Sequence, residues 1–163
     1  MPRRLAPVGQ RPFWKTSEVI AALTRLEPGP AIPTSSMLCG WHETGLCQAS
    51  VRPRLAGPGQ KGGTRSRLYN LDDLHRIRLI VRLRNAGVSM PRVRVVMAHI
   101  EARWADVLRP TSQAVLVVDH TYRVAIEEPG KPAVEIPSAQ IRLPFAELCV
   151  DAEEVSRIVL AAA

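Results

Sequence analysis

The chain has 163 residues, enough for one domain or two small ones, and its hydrophobic content of 46% can form a core in which aromatic residues, at 4%, take a small part. No apolar stretch approaches the roughly 18 residues that a membrane-spanning helix needs. The basic N-terminus also lacks the apolar centre of a signal peptide, so we expect a cytoplasmic protein. The three cysteines, Cys39, Cys47 and Cys149, make no disulfide framework and are expected to be reduced, mostly buried thiols.

Charge is distributed unevenly along the chain. Residues 1–104 hold 17 Lys and Arg against 6 Asp and Glu, a net +11, whereas residues 105–163 hold 5 against 9, a net −4. This asymmetry predicts two modules with different partners, and a helical pattern stops at Pro110. The sequence thus predicts a disordered basic arm over residues 1–12, an N-terminal domain over residues 13–108 and a small acidic α+β module over residues 111–163.

Two short helices are predicted first. One begins at Thr16 or Ser17, either of which can cap it, and ends before residues 27–30, whose sequence is EPGP. The second is capped by Thr34 or Ser35, and Gly45 ends it where a left-handed residue is inexpensive.

A basic, glycine-rich stretch follows the second helix. Residues 50–68 contain five Lys and Arg, four glycines and no acidic residue, which indicates a flexible loop or a ribbon with short strands at its base. A long third helix is then predicted, capped by Asn70, with Asp72 and Asp73 placed favourably against the helix dipole.

The third helix should end at Gly87, and a fourth should be capped by Ser89. The third carries an apolar stripe of Leu74, Ile77, Ile80, Val81 and either Leu83 or Arg84, with Arg76, Arg78 and Arg82 off its centre. The fourth carries a stripe of Val93, Val96, Met97 and Ile100 that continues to Trp104. After residue 112 the apolar period changes to two, which predicts short strands around the DHT turn at residues 119–121 and the EEPGKP turn at residues 127–132. A terminal helix begins at DAEEV, again with acidic residues in its first turn.

Three motifs stand out in these elements: WHETGL at residues 41–46, RLYNLDDL at residues 67–74 and LRNAGVSM at residues 83–90. Together with the order of the elements, they resemble the N-terminal winged helix-turn-helix domain of the MerR family of transcription regulators. The resemblance covers roughly half of the chain, and it implies an α+β fold class: a MerR-like winged helix-turn-helix domain followed by a small β-rich module that ends in a helix.

The resemblance implies a cytoplasmic regulator that binds double-stranded DNA and is not an enzyme. A recognition helix places its N-terminal residues in the major groove, and a wing carries basic side chains to the phosphates. The predicted DNA-binding residues are Thr34, Ser35, Ser36 and His42 on the helix, and Arg52, Arg54, Lys61, Arg65, Arg67 and Tyr69 on the wing. Tyr69 is expected to anchor its strand, either by packing or by offering its hydroxyl to a phosphate.

The chain departs from the family pattern at three places. Residues 25–33 make a longer connection between the first two helices than is usual in the family. Cys39 and Gly40 stand where the family often has Arg and Tyr. The long helix that forms the family's antiparallel dimer is also missing, so a homodimer is expected to form through residues 111–163.

Other chemistries are weaker interpretations. Cys39, His42 and Cys47 provide fewer ligands than the four of a structural zinc site, so no metal and no cofactor are expected. Asp119-His120 and Glu127-Glu128 lie in predicted turns, which collect such residues without any catalytic role.

The acidic module leaves three roles open: homodimerisation, docking of a basic protein partner as in an antitoxin, and, last, a small ligand pocket. The rival to DNA binding is therefore an accessory interaction protein whose acidic C-terminal module binds another protein.

Overall fold

The computed structural model describes residues 13–50, 67–121, 123–132 and 139–163. Their contacts group into two compact units, one containing residues up to Arg78 together with Asp151–Ala163, and the other containing Leu79–Val150. Helices and short strands occur in both halves of the chain, so the predicted α+β class is confirmed. The boundary predicted near residues 108–111 stays a prediction, because grouping by contacts reports packing and not independent folding.

The first unit contains the elements expected around a helix-turn-helix. They are β1 (Trp14–Lys15), α1 (Thr16–Leu26), α2 (Ser35–Glu43), β2 (Leu68–Tyr69) and the first half of α3 (Leu71–Asn85). Helix α1 starts where the sequence predicted, but its N-cap is Lys15, the residue before the first candidate, Thr16. The backbone N–H of Lys15 donates to Glu18 Oε2 at 2.7 Å, so the carboxylate at the third helical position caps the helix.

A two-stranded ribbon joins the start of the chain to the residues that precede α3. Strand β1 pairs antiparallel with β2, and Trp14 lies directly opposite Tyr69. Both side chains are at most 2% exposed. The expected short strand after the basic stretch therefore exists, and its described partner is the segment before α1.

Helix α3 is buried on most of its sides. The predicted apolar stripe is confirmed, since Leu74, Ile77 and Ile80 have no exposed surface, and Leu79 outside that stripe has none either. Arg78 was expected away from the buried stripe, but it is only 4% exposed. Its Nε donates to Glu27 Oε1 at 2.6 Å, and this pairing with a residue far away in the sequence accounts for its burial.

The long connection between α1 and α2 is held by the same contact. Glu27 follows the last residue of α1, and its carboxylate is 3% exposed against Arg78. Gly29 has a φ of 133°, a backbone conformation that glycine adopts without strain. Pro33, just before the cap of α2, is buried. The connection is therefore tied to the unit at both of its ends.

In the second unit, Gly87 ends α3 as predicted. It has a φ of 85°, and the N–H of Val88 donates to Leu83 O at 3.0 Å, which is the hydrogen bond of a Schellman motif. Helix α4 (Met90–Glu101) has Ser89 as its N-cap residue, although the Ser89 side chain makes no capping hydrogen bond. The predicted stripe is confirmed, with Val93, Val96, Met97, Ile100 and Trp104 all at most 5% exposed.

Strands follow the short helix α5 (Trp104–Val107). The strands β3 (Val115–Asp119), β4 (Val124–Glu127) and β5 (Ala139–Pro144) form an antiparallel sheet in the order β4-β3-β5. Leu116, Val117 and Val118 are all at most 2% exposed, so the central strand is buried on both faces instead of alternating. A 3-10 helix, Phe145–Leu148, closes this unit.

The terminal helix, α6 (Ala152–Ala161), packs against α1 in the first unit. The predicted terminal helix is present, and Asp151 caps it by accepting the N–H of Glu154 at 2.7 Å. Val155 is 1% exposed and forms part of its buried side. Among the described residues, no helix is both long enough and apolar enough to cross a membrane.

Candidate nucleic-acid interface

The first turn of α2 presents three hydroxyl side chains to solvent. Thr34 is the N-cap, and its Oγ1 accepts the N–H of Met37 at 3.2 Å, so the predicted cap is confirmed. Thr34, Ser35 and Ser36 are all exposed, and Met37 beside them is 42% exposed. Hydroxyl groups can donate to or accept from base edges, and an exposed apolar side chain can contact a thymine methyl group.

The opposite side of α2 fixes the orientation of this turn. Leu38 and Trp41 are 1% and 6% exposed, and α2 packs against α1. At the other end, Gly45 has a φ of 72°, as predicted, and the N–H of Leu46 donates to Trp41 O at 2.9 Å. The helix is therefore held by its buried face while its N-terminal turn stays accessible.

His42 does not share that accessibility. It is 7% exposed, and its Nδ1 accepts the N–H of Ala49 at 2.9 Å. An exposed His42 was expected beside the recognition residues, but it lies nearly two turns after Ser36 on the buried side and ties α2 to the segment that follows. The role that the structure shows for His42 is this hydrogen bond, and a contact of His42 with DNA stays a prediction.

The two positions where the family pattern is broken have different environments. The half-buried Cys39 donates its Sγ–H to Glu43 Oε1 at 3.3 Å. Gly40 has an ordinary helical backbone, and a Cβ placed on it would meet nothing within 4 Å. Neither a special backbone conformation nor crowding within the described chain therefore requires glycine at position 40.

Arg67 is the predicted wing residue whose side chain the structure describes most directly. Its Nη2 lies 3.7 Å from Glu43 Oε1, and the two side chains are 26% and 65% exposed. Arg67 thus stands beside the C-terminal end of α2, with an acidic neighbour that competes with any phosphate. An exposed pair of this kind contributes about 0–1 kcal/mol, so it is easily exchanged for another partner.

Tyr69 anchors β2 by packing. It is 1% exposed, and its buried hydroxyl makes no hydrogen bond of normal geometry with a described residue, although the nearby Thr16 hydroxyl acts to lower its pKa. Burial is the larger effect and raises the pKa of Tyr69 above its usual value. Of the two roles that the sequence left open, packing is the one shown, because a phosphate could not reach this hydroxyl without a rearrangement.

The two ends of the basic stretch meet at one carboxylate. Asp73 Oδ2 accepts the N–H of Ser50 at 3.0 Å, the hydroxyl of Ser50 at 2.6 Å and the N–H of Asn70 at 2.9 Å. Asn70 Oδ1 in turn accepts the N–H of Asp73 at 2.8 Å, which confirms the predicted cap of α3. The remaining predicted wing residues, Arg52, Arg54, Lys61 and Arg65, lie outside the described residues, as does the arm over residues 1–12.

The other sites that the sequence raised show local structural roles. All three cysteines are free, and the described residues contain no group of three or more side chains able to hold a metal ion. Burial alone would raise the pKa of Asp119, but hydrogen bonds from the backbone of Arg123 and from both the hydroxyl and the N–H of Thr121 lower it overall. Asp119 therefore orders the turn after β3.

The predicted EEPGKP turn at residues 127–132 borders a shallow pocket. An open pocket of about 230 Å³ is lined by Val115 of β3 and by residues of the turn after β4, among them Glu128 and Lys131. Arg103, at 2.7 Å, and Lys131 both donate to Glu128 and lower its pKa to about 2. The carboxylate is thus engaged in ion pairs that hold the turn.

Sequence reasoning missed two residues of this region. Asp73 was assigned only to the helix dipole, although the spacing Asn70-x-x-Asp73 is that of a capping box and predicts a reciprocal hydrogen bond. Its bonds to Ser50 had no signal in the sequence, since 23 positions separate the two residues. Glu43 likewise gave no sign that it pairs with Arg67.

Comparison with known proteins supports the resemblance. The family model described as the MerR HTH family regulatory protein matches residues 51–100, which contain the basic stretch, β2, α3 and most of α4. Helices α1 and α2 precede the matched range. No curated protein matches the chain. The match confirms the resemblance over residues 51–100, which contain the motifs at residues 67–74 and 83–90 and are similar to the MerR HTH regulatory family.

Proposed function

We propose that the protein is a sequence-specific DNA-binding transcription regulator of MerR type. Helix α2 enters the major groove with Thr34, Ser35 and Ser36, and the basic segment over residues 51–67 contacts the phosphate backbone. The observation that carries the proposal is the accessible polar turn of α2, whose opposite face is buried. A basic segment that the MerR family model matches follows this helix in the sequence.

The chemistry of the two parts assigns them different tasks. Residues 51–67 contain five Lys and Arg and no acidic residue, so they supply an attraction to phosphate that does not depend on base sequence. The hydroxyls of α2 are uncharged and add specificity instead of general affinity. With Arg and Tyr absent at positions 39 and 40, a larger share of the affinity rests on the basic segment.

The experiment that tests this division is selection of bound duplexes from random DNA, followed by binding measurements on variants. Ser36→Ala should reduce discrimination at one base position and leave binding to unrelated duplexes unchanged. Arg65→Ala should weaken binding to all duplexes alike. Arg157→Ala is a matched control, because Arg157 is 73% exposed on α6 and pairs only loosely with Glu153 at 3.5 Å.

Two outcomes would contradict the proposal. If no duplex of any sequence is retained at low salt, the protein is not a DNA-binding regulator. If Arg65→Ala affected a single selected sequence only, the basic segment would be reading bases and the phosphate role would be wrong.

The role of residues 111–163 is a separate part of the proposal. We propose that they support a homodimer, and we place the protein in the cytoplasm with the DNA. Within the described residues, β4 and β5 pair only with β3, so each leaves an edge at which a second chain can add a strand. Light scattering on the full chain should give twice the monomer mass, and a palindromic selected site should accompany it. A monomer at all concentrations would favour docking of a different protein.

A further inference from the structure

Asp73 has a second set of contacts that helix capping does not explain. Its reciprocal bonds with Asn70 are sufficient to cap α3, and they involve residues three positions apart. The two bonds from Ser50 come from the opposite end of the basic stretch and contribute nothing to the cap. The carboxylate is 6% exposed, so these bonds are largely protected from water.

The position of these contacts in the sequence gives them their significance. Ser50 immediately precedes the basic segment over residues 51–67, and Asn70 follows it after the two residues of β2. One oxygen atom, Asp73 Oδ2, therefore accepts hydrogen bonds from both sides of the segment that carries all five basic residues. The nearby pairing of Trp14 with Tyr69 holds the returning strand in place.

We propose that Asp73 is a positioning residue that closes the base of the basic segment and thereby presents its Lys and Arg side chains to DNA. The inference rests on the proposed function. A segment whose ends are fixed together loses less conformational freedom when it binds, because part of that freedom is already removed in the free protein. Asp73 itself touches no DNA in this account.

The sign of the effect separates positioning from plain electrostatics. Asp73 is a negative charge beside a DNA-binding segment, so its neutralisation should strengthen binding to DNA if charge were its only influence. Loss of the hydrogen bonds from Ser50 to Asp73, which we call the clamp, should weaken binding instead. Asp72 offers a matched control, because it is the preceding residue of the same helix turn, carries the same charge and forms a partly exposed pair with Arg76 at 3.1 Å.

The experiment compares Asp73→Asn, Ser50→Ala and Asp72→Asn in the full chain. Binding to a mixed-sequence double-stranded DNA oligonucleotide is measured at low salt, at a temperature where each variant is folded by circular dichroism. We expect Asp72→Asn to bind as tightly as the unmodified chain or slightly more tightly. Asp73→Asn and Ser50→Ala should bind about 3- to 10-fold more weakly, the scale of one or two lost hydrogen bonds.

Ser50→Ala keeps the experiment decisive if Asp73→Asn unfolds, because it leaves the cap of α3 intact. Equal or tighter binding by Ser50→Ala and by any folded Asp73→Asn protein would overturn the inference.

A second measurement does not depend on DNA. Trypsin cleaves after Lys and Arg that are not followed by proline, and mass spectrometry can follow cleavage at Arg54, Lys61 and Arg65 in the free protein. Release of the clamp should accelerate cleavage at these positions in Ser50→Ala but not in Asp72→Asn. Unchanged cleavage rates would overturn the clamp. If the unmodified chain bound no DNA, the proposed function would fail, whereas the cleavage rates would still test whether Asp73 holds the two ends of the basic segment together.

Discussion

Replacing Glu27 by Gln should destabilise the first unit strongly. The substitution keeps the size of the side chain and one acceptor oxygen, but it removes the charge that faces Arg78. The two side chains are 3% and 5% exposed and their contact is 2.6 Å long, so water cannot replace the lost carboxylate without a rearrangement. Removing one partner of a buried pair costs about 3–5 kcal/mol, and the retained amide oxygen places Glu27→Gln near the lower end of that range.

Urea denaturation followed by circular dichroism measures this effect. The midpoint should fall while the slope of free energy against denaturant stays the same, since the folded surface is unchanged. Asp72→Asn is the control within the same unit, because its pair with Arg76 is partly exposed and should contribute less than about 1 kcal/mol. The double variant Glu27→Gln/Arg78→Met should lose less than the sum of its single variants.

A loss below about 1 kcal/mol for Glu27→Gln would refute the reasoning. It would mean that Arg78 finds an equivalent partner at no cost, so the ion pair would not be what ties the long α1–α2 connection to α3.

Three further predictions concern single residues. Gly40→Ala should raise stability by about 0.5–1 kcal/mol in thermal unfolding, because a helix-interior glycine is replaced at a position where the new Cβ meets nothing within 4 Å; a lower melting temperature would contradict this. Glu43→Gln should strengthen DNA binding several-fold in a filter or anisotropy assay, because it releases Arg67 from a carboxylate at 3.7 Å and removes a negative charge. Weaker binding would show that the pair orients Arg67 instead. The pKa of Glu128 is lowered from 4.5 to about 2, chiefly by the hydrogen bond from Arg103. The contribution of Glu128 to stability is therefore complete above about pH 4.5 and is lost as the pH falls towards 2. Glu128→Gln should flatten the acid side of the curve of unfolding midpoint against pH, and an unchanged curve would contradict the assignment.

The local signals in the sequence were sufficient for most of the helices. The caps at Thr34, Asn70 and Asp151 and the positive φ at Gly45 and Gly87 all follow from interactions within a few residues. Apolar spacing likewise predicted the buried faces of α3 and α4, since a periodic pattern records which side of an element is covered.

Contacts between segments that are distant in the sequence could not be predicted from local patterns. The sequence around Arg78 does not indicate a pairing with Glu27, which lies 51 positions earlier. The burial of Arg78 was therefore not expected. His42 was placed among the recognition residues by its position in a motif, whereas its hydrogen bond to Ala49 turns it inward. The packing of α6 on α1 brings together segments that are far apart in the sequence, and no local pattern identifies either helix as the partner of the other.

The salt dependence of duplex binding tests the central claim most directly. Five phosphate contacts from residues 51–67 predict a slope of roughly −4 to −5 in a plot of log K against log salt concentration. Replacing both Arg65 and Arg67 by Ala should flatten that slope by about two units on every duplex, one for each lost contact. A slope near zero, or a slope that the double substitution leaves unchanged, would contradict the account that this segment holds the DNA backbone.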